Sequence, residues 1–195
     1  RGGVFTIMEW FDGENLETWR GASKITLEEI IECGIAVCGA LAAAHNAGVI
    51  HADVTPRNIL RRNDGTFVLT DFGFSLLGSA SVNRHLAGTP GYLAPEQIAD
   101  AFGQVSQQTD VFGLGSVLYF LLSGQPPFGG RDVAETLALT LSSRPADRVS
   151  SMVPGFEPAV DELIAGCLNK EPSGRPNSVI AVLTQLKCIE FDKSA

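Results

Sequence analysis

The segment from Thr26 to Gly48 constrains the fold more than any other part of the chain. Thr26 followed three residues later by Glu29 is the pattern of a reciprocal N-cap, in which a hydroxyl and a carboxylate satisfy two orphaned backbone N–H groups. Behind it, apolar residues recur at Leu27, Ile30, Ile31, Ala36, Val37 and Leu41, and the helix should end near Gly48. Its apolar face is broad, as expected of a helix at the centre of a helical lobe. The uncharged run 34–44 is too short to cross a bilayer and follows Glu28, Glu29 and Glu32, so a buried helix is the expectation.

The remaining pattern is of short strands, then helices. The first dozen residues read as a strand, Val4 to Met8, running into a turn or linker at Asp12-Gly13, with a short polar segment after it. Beyond the long helix come Val49-Ile50, Ile59-Leu60 and Phe67-Val68-Leu69; the Asn63-Asp64-Gly65 turn predicts a small hairpin between the last two. Residues 71–93, rich in Gly, Ser and Thr, form a long loop, and such loops in compact domains are usually functional. Helices are expected at about Pro95–Ala101, Val111–Leu122, Asp132–Leu141, Glu157–Leu168 and Ser178–Leu186, punctuated by Pro126-Pro127, Pro154 and Pro176. There is no internal repeat. The fold class is α+β, mainly helical, with its strands in the first third.

At 195 residues the chain is one domain's worth, and 45% apolar with 18% charged residues describes a globular protein. The net charge of −8 comes without any Lys/Arg cluster, so nucleic acid and anionic membranes are not expected partners. Cys33, Cys38, Cys167 and Cys188 form no C-x-x-C pair; free thiols in a reducing, cytoplasmic setting are expected. No basic stretch followed by an apolar one opens the chain, so no signal peptide is expected, and the start at Arg1 before a strand reads as a fragment boundary.

Chemistry gathers in three stretches. Asp53 and Asn58, in His51-Ala52-Asp53-Val54-Thr55-Pro56-Arg57-Asn58, sit five apart on a loop and can turn toward one point. A carboxylate there can accept a hydroxyl proton and an amide oxygen can ligate a hard cation such as Mg²⁺, although both residues are also common turn formers. Asp71-Phe72-Gly73 places a carboxylate at a strand end, suited to holding a metal ion against phosphate oxygens, or to a turn. The run from Gly88 to Glu96 closes the long loop and opens a helix, with Pro95 and Glu96 suited to its first turn. Asp110 reads as a helix cap and Arg175 as a solvated residue when each is taken alone.

In order and spacing these residues resemble the eukaryotic-type (Hanks-type) Ser/Thr protein kinase family, with a bacterial cast to the catalytic loop. The matches are His51, Asp53, Pro56, Asn58, Asp71-Phe72-Gly73, Gly88-Thr89-Pro90-Gly91-Tyr92, Ala94-Pro95-Glu96, Asp110 with Gly115, and Arg175-Pro176. The resemblance implies a protein-kinase-like fold and transfer of the ATP γ-phosphoryl group to Ser/Thr of a protein substrate, with ATP and Mg²⁺ as cofactors. It implies that Asp53 is the catalytic base, that Asn58 and Asp71 are the metal ligands, and that Thr89 marks Ser/Thr specificity. Met8 resembles the gatekeeper, Glu9 and Phe11 the backbone partners of adenine, and Leu60 the floor beneath the base. Glu96 with Arg175 resembles the family's buried ion pair, and Asp110 its anchor for the catalytic loop. The implied organisation is a hinge strand and linker at 1–15, the C-terminal lobe at 16–188 with catalytic loop 51–58 and activation segment 71–96, and a tail at 189–195.

The pattern also breaks. Ala52 replaces the Arg that in the family pairs with a phosphorylated activation loop, so switching through Ser79 or Ser81 by that pairing is not expected. Thr55 stands where Ser/Thr kinases carry a phosphate-touching Lys; Arg57 offers a positive charge in its place, or is simply solvated. No G-x-G-x-x-G loop and no V-A-I-K-like strand occur, so this stretch alone should bind ATP weakly and turn over little. A pseudokinase or scaffold is the alternative, with Thr55 favouring it and the joint presence of Asp53, Asn58 and Asp71 opposing it. A small-molecule phosphotransferase would share the His-x-Asp-x-x-x-x-Asn loop but lack the Gly88–Glu96 run.

Overall fold

Thr26 caps the long helix as the sequence demands: its Oγ1 accepts from the Glu29 N–H at 3.2 Å and its own N–H donates to Glu29 Oε2 at 3.0 Å. A computed structural model describes residues 10, 12–22, 24–72, 76–77, 88–153 and 158–192, with side chains of 76, 77 and 190–192 excepted. The chain is α+β. Its described helices are α1 (Leu16–Ala22), α2 (Leu27–Asn46), α3 (Pro95–Ile98), α4 (Gln107–Ser123), α5 (Val133–Leu141), α6 (Pro158–Cys167) and α7 (Val179–Asp192).

The core is helix on helix. Ile30, Ile31, Cys33, Gly34, Val37, Cys38, Leu41 and His45 of α2 are all buried, so the helix is enclosed on several sides by α4 and α7. At Gly34 an added Cβ would lie 2.8 Å from Leu186 Cδ1, so the missing side chain is what lets α7 come this close. Helix α4 is buried almost continuously from Thr109 to Tyr119, apolar all round as a central helix must be.

Strands β1 (Gly13–Asn15), β3 (Ile59–Arg62) and β4 (Phe67–Leu69) form an antiparallel sheet in the order β1-β3-β4, with Glu14 opposite Arg61 and Leu60 opposite Val68. The expected hairpin is therefore present, closed by a turn in which Gly65 takes φ +89. A second, two-stranded sheet pairs β2 (Val49–Ile50) with β5 (Leu76–Leu77).

Several expectations need correction. Gly13 is not in a turn but in β1, where its backbone lies so close to Arg61 that no side chain would fit. The polar segment after it contains α1, which buries only Leu16 and Trp19. The loop 71–93 includes β5. Asp110 does not cap α4: Ser106 does, and Asp110 sits one turn inside. The Val4–Met8 strand lies outside the described residues.

The lobe is tied internally by one fully satisfied ion pair. Glu96, at the start of α3, meets Arg175 through Oε1–Nη1 at 2.7 Å and Oε2–Nη2 at 2.9 Å, with both side chains fully buried. Arg175 is not solvated. Its remaining N–H groups donate to the carbonyls of Asn169 (2.8 Å), Gln108 (2.8 Å) and Lys170 (3.1 Å), so all five guanidinium donors are used. Thr109 Oγ1 adds a bond to Glu96 Oε1 at 2.8 Å, and the Phe112 ring lies beneath the guanidinium. Removing one partner strands a buried charge, which costs about 3–5 kcal/mol. Arg175→Met should therefore lower stability by about that amount in urea titration, whereas Glu96→Leu/Arg175→Met should lose clearly less than the two single losses combined.

Candidate active site

The loop 51–58, expected from the resemblance to be the catalytic loop, departs β2 through a residue in an unusual conformation. Ala52 has φ +62, a left-handed value that costs a non-glycine residue about 1–3 kcal/mol unless its surroundings hold it there. Asp110 supplies part of that hold: its Oδ1 accepts from the Ala52 N–H at 2.8 Å, and its Oδ2 accepts from the His51 N–H at 3.0 Å and contacts His45 Nε2 at 2.7 Å. α4 reaches the loop because of Gly113, where an added Cβ would come within 2.8 Å of Val54 Cβ and 3.0 Å of its carbonyl oxygen.

His51 joins the loop to the strand that precedes Asp71. Its Nε2 lies 3.0 Å from the Thr70 carbonyl, which can only accept, and its Nδ1 lies 3.2 Å from the Asp53 N–H, which can only donate. The ring therefore carries its proton on Nε2. Thr70 completes the junction, sending its N–H (2.8 Å) and Oγ1 (3.1 Å) to the Asn58 carbonyl. Phe72 lays its ring 4.5 Å from that of His51. The sequence reading assigned nothing to Thr70 or His45, whose contacts are made by a backbone group and by a long-range pair that no local pattern signals.

Asp53, Asn58 and Asp71 are brought together. Asn58 Nδ2 donates to the Asp53 carbonyl at 2.9 Å and to Asp53 Oδ2 at 2.8 Å, which turns its Oδ1 the other way, where among the described residues nothing donates to it. Burial pushes the Asp53 carboxyl above the ordinary carboxylate value; the Asn58 bond and His51 pull it back, nearby Asp71 pushes it further, and the Thr89 backbone N–H pulls it down. Thr89 is thus beside Asp53, as the motif order implied. Asp71 is exposed and itself at φ +60.

The other predicted residues fall as follows. Leu60 is half-buried in β3, one residue beyond Ile59. Arg57 is about two-thirds exposed and donates from Nε to Glu17 Oε2 of α1 at 2.8 Å; among the described residues its terminal nitrogens have no partner. Thr55 is 2% exposed, and among the described residues its hydroxyl has no hydrogen-bond partner. Met8, Glu9 and Phe11 lie outside the described residues. A cavity of about 680 Å³ is lined by Tyr119, Leu141, Ile164 and Leu168 among others, and by none of the predicted site residues.

A family model described as the protein kinase domain matches residues 2–188, and the chain belongs to that family. Its relatives include the serine/threonine-protein kinase PknL of Mycobacterium tuberculosis, 35% identical over 189 residues, which are 95% of this chain and 47% of PknL. Pkn1 of Myxococcus xanthus is 34% identical across 94% of this chain and 27% of its own length. PkaA of Streptomyces coelicolor is 36% identical across 88% of this chain and 32% of its own. The chain thus spans less than half the length of these bacterial relatives.

The raised pKa of Asp53 has a consequence for stability. With the folded value above the ordinary 3.8, the folded protein gives up its proton later than the unfolded chain. Stability from this group is fully present below the unfolded value and is lost as pH rises through the folded one. Asp53→Asn removes the titration, so its melting temperature relative to wild type should rise as pH is raised above the ordinary carboxylate value; a difference that is flat or falls contradicts the assignment.

Proposed function

We propose that this chain carries the catalytic loop and metal-ligating residues of an enzyme that transfers the γ-phosphoryl group of ATP to Ser or Thr of protein substrates. The observation that carries the reading is the convergence of Asp53, Asn58 and Asp71, locked by the 2.8 Å Asn58–Asp53 bond and by the Thr70 junction. The protein kinase family generally uses ATP and Mg²⁺. The donor set fits the ion: the free Asn58 Oδ1 and the Asp71 carboxylate are hard oxygen ligands. Among the described residues no cluster of three or more His, Cys, Asp or Glu could hold a metal by itself. Such a set suits Mg²⁺, which is bound through one or two protein ligands together with waters and substrate phosphates. When bound, the metal neutralises charge on the phosphates being transferred.

The chain's own residues then have distinct tasks. Asp53, oriented by Asn58 and the Thr89 N–H, receives the hydrogen bond and finally the proton of the substrate hydroxyl, and its raised pKa makes it a better base than an ordinary carboxylate. Thr89 stands where the acceptor residue would enter, and Leu60 lies beneath the place assigned to the base. Arg57 supplies positive charge in place of the missing Lys, through the terminal nitrogens that Glu17 leaves free. No helix among the described residues is long and apolar enough to cross a membrane. The buried free thiols of Cys33, Cys38 and Cys167 suit a reducing, cytoplasmic setting.

Two measurements on the full-length protein test this. With radiolabelled ATP, Mg²⁺ and myelin basic protein, wild type should label Ser or Thr, and Asp53→Asn should lose about 10²–10⁴-fold in kcat. Equal labelling by both, or none by either, would favour the scaffold alternative. Arg57→Ala should lower kcat about tenfold if its charge reaches the phosphoryl group, and unchanged turnover removes Arg57 from the site.

A further inference from the structure

Gln97, one residue beyond the buried ion pair, makes two bonds of different kinds. Its Oε1 accepts from the Ala94 N–H at 3.0 Å, within its own helix start. Its Nε2 donates to the Ala52 carbonyl at 2.7 Å, forty-five positions away in the catalytic loop. That carbonyl belongs to the same peptide plane as the Asp53 N–H, which His51 Nδ1 holds at 3.2 Å. The plane immediately ahead of the Asp53 Cα is therefore gripped on both edges. The preceding plane is held as well, through the Ala52 N–H on Asp110 at 2.8 Å.

We infer that Gln97 is a positioning residue for Asp53, acting through the Ala52 carbonyl. The inference rests on the phosphotransfer reading for its effect on rate, but not for its effect on the backbone. Ala52 sits at φ +62, a strained value from which the following peptide plane relaxes unless it is fixed. Among the described residues the short Nε2–O bond is the one hydrogen bond to that carbonyl, and it originates in α3, whose Glu96 is itself immobilised by Arg175. The clamp therefore ties the end of the activation segment to the catalytic loop with a neutral hydrogen bond. It requires neither an Arg at position 52 nor a phosphate. Removing it lets the plane rotate and misdirects the Asp53 side chain, and small misplacements of a catalytic group cost rate rather than ground-state affinity.

The two bonds of Gln97 can be separated in the full-length protein. Gln97→Glu keeps an acceptor for Ala94 and loses the donor to Ala52; Gln97→Lys does the reverse; Gln97→Met loses both without adding charge. The expected result is a kcat about tenfold lower in the Glu and Met variants with the KM for ATP within about twofold of wild type, and a Lys variant within about threefold of wild-type kcat. Hydrogen exchange should accelerate at the amides of residues 51–54 in the Glu and Met variants and stay slow in the Lys variant. If Lys is impaired as much as Glu, or Glu behaves as wild type, the role is capping of α3 and the inference is overturned. Should wild type transfer no phosphate, the phosphotransfer reading fails by itself, and the exchange rates at residues 51–54 still decide the clamp.

Discussion

The carboxylate of Asp110 is the constraint on which the site depends. It is 1% exposed, lies in the first turn of α4 and faces three donors: two successive backbone N–H groups of the catalytic loop and the ring of His45. Buried in this way, an unpaired carboxylate would be costly, but its oxygens are met by three donors. Without the carboxylate, the His51 and Ala52 N–H groups would be left buried and unpaired, at about 1–3 kcal/mol each. The left-handed backbone at Ala52 is thus tolerated because a longer-range interaction over-determines it. Gly113 is what allows α4 to come close enough.

A division of labour follows. The groups that hold the lobe together, Glu96, Arg175, Thr109 and Asp110, are buried, and the donors and acceptors among them are matched. The groups assigned to chemistry, Asp53, Asn58 and Asp71, are half-buried or exposed, and two of the surrounding residues, Ala52 and Asp71 itself, sit at positive φ. Strain is concentrated on the loop and paired polar groups on the helices, as expected when a rigid scaffold carries a site built on loops.

How much of this was legible in the sequence varies with the range of the interaction. The reciprocal cap of Thr26 and Glu29, the hairpin around Gly65 and the extent of α2 are local, and composition with periodicity predicted them. The motif residues were legible through their order; in the structure Asn58 bonds Asp53 directly, and Asp71 and the Thr89 backbone lie near enough to act on the Asp53 carboxyl. α1 was not legible, because a helix of 7 residues burying only Leu16 and Trp19 gives too few apolar positions for a period. β5, at 2 residues, and the strand role of Gly13 depend on a partner strand far along the chain. Arg175 and Asp110, each taken alone, read as a solvated residue and a cap; the resemblance in motif order implied instead the ion pair and the loop anchor, and their long-range contacts are those. Gln97 and Thr70 leave no local signal at all, since each acts on a backbone carbonyl or offers one.

The charge pattern around the loop gives these neutral contacts their weight. Two cations that the family places at the loop are absent here, at Ala52 and Thr55, and Arg57 is partly engaged by Glu17. What fixes the loop instead is a set of hydrogen bonds that do not run between mobile surface charges: His51 to Thr70, Asn58 to Asp53, Gln97 to Ala52, and both loop N–H groups to the enclosed Asp110. Exposed ion pairs such as Arg57–Glu17 are weakened by salt and contribute little, whereas short bonds shielded from solvent keep most of their strength. The loop is therefore assembled by its own fold. With Ala52 in place of the Arg, a charged modification has no cation at position 52 to pair with, and the contacts that hold the loop do not depend on one.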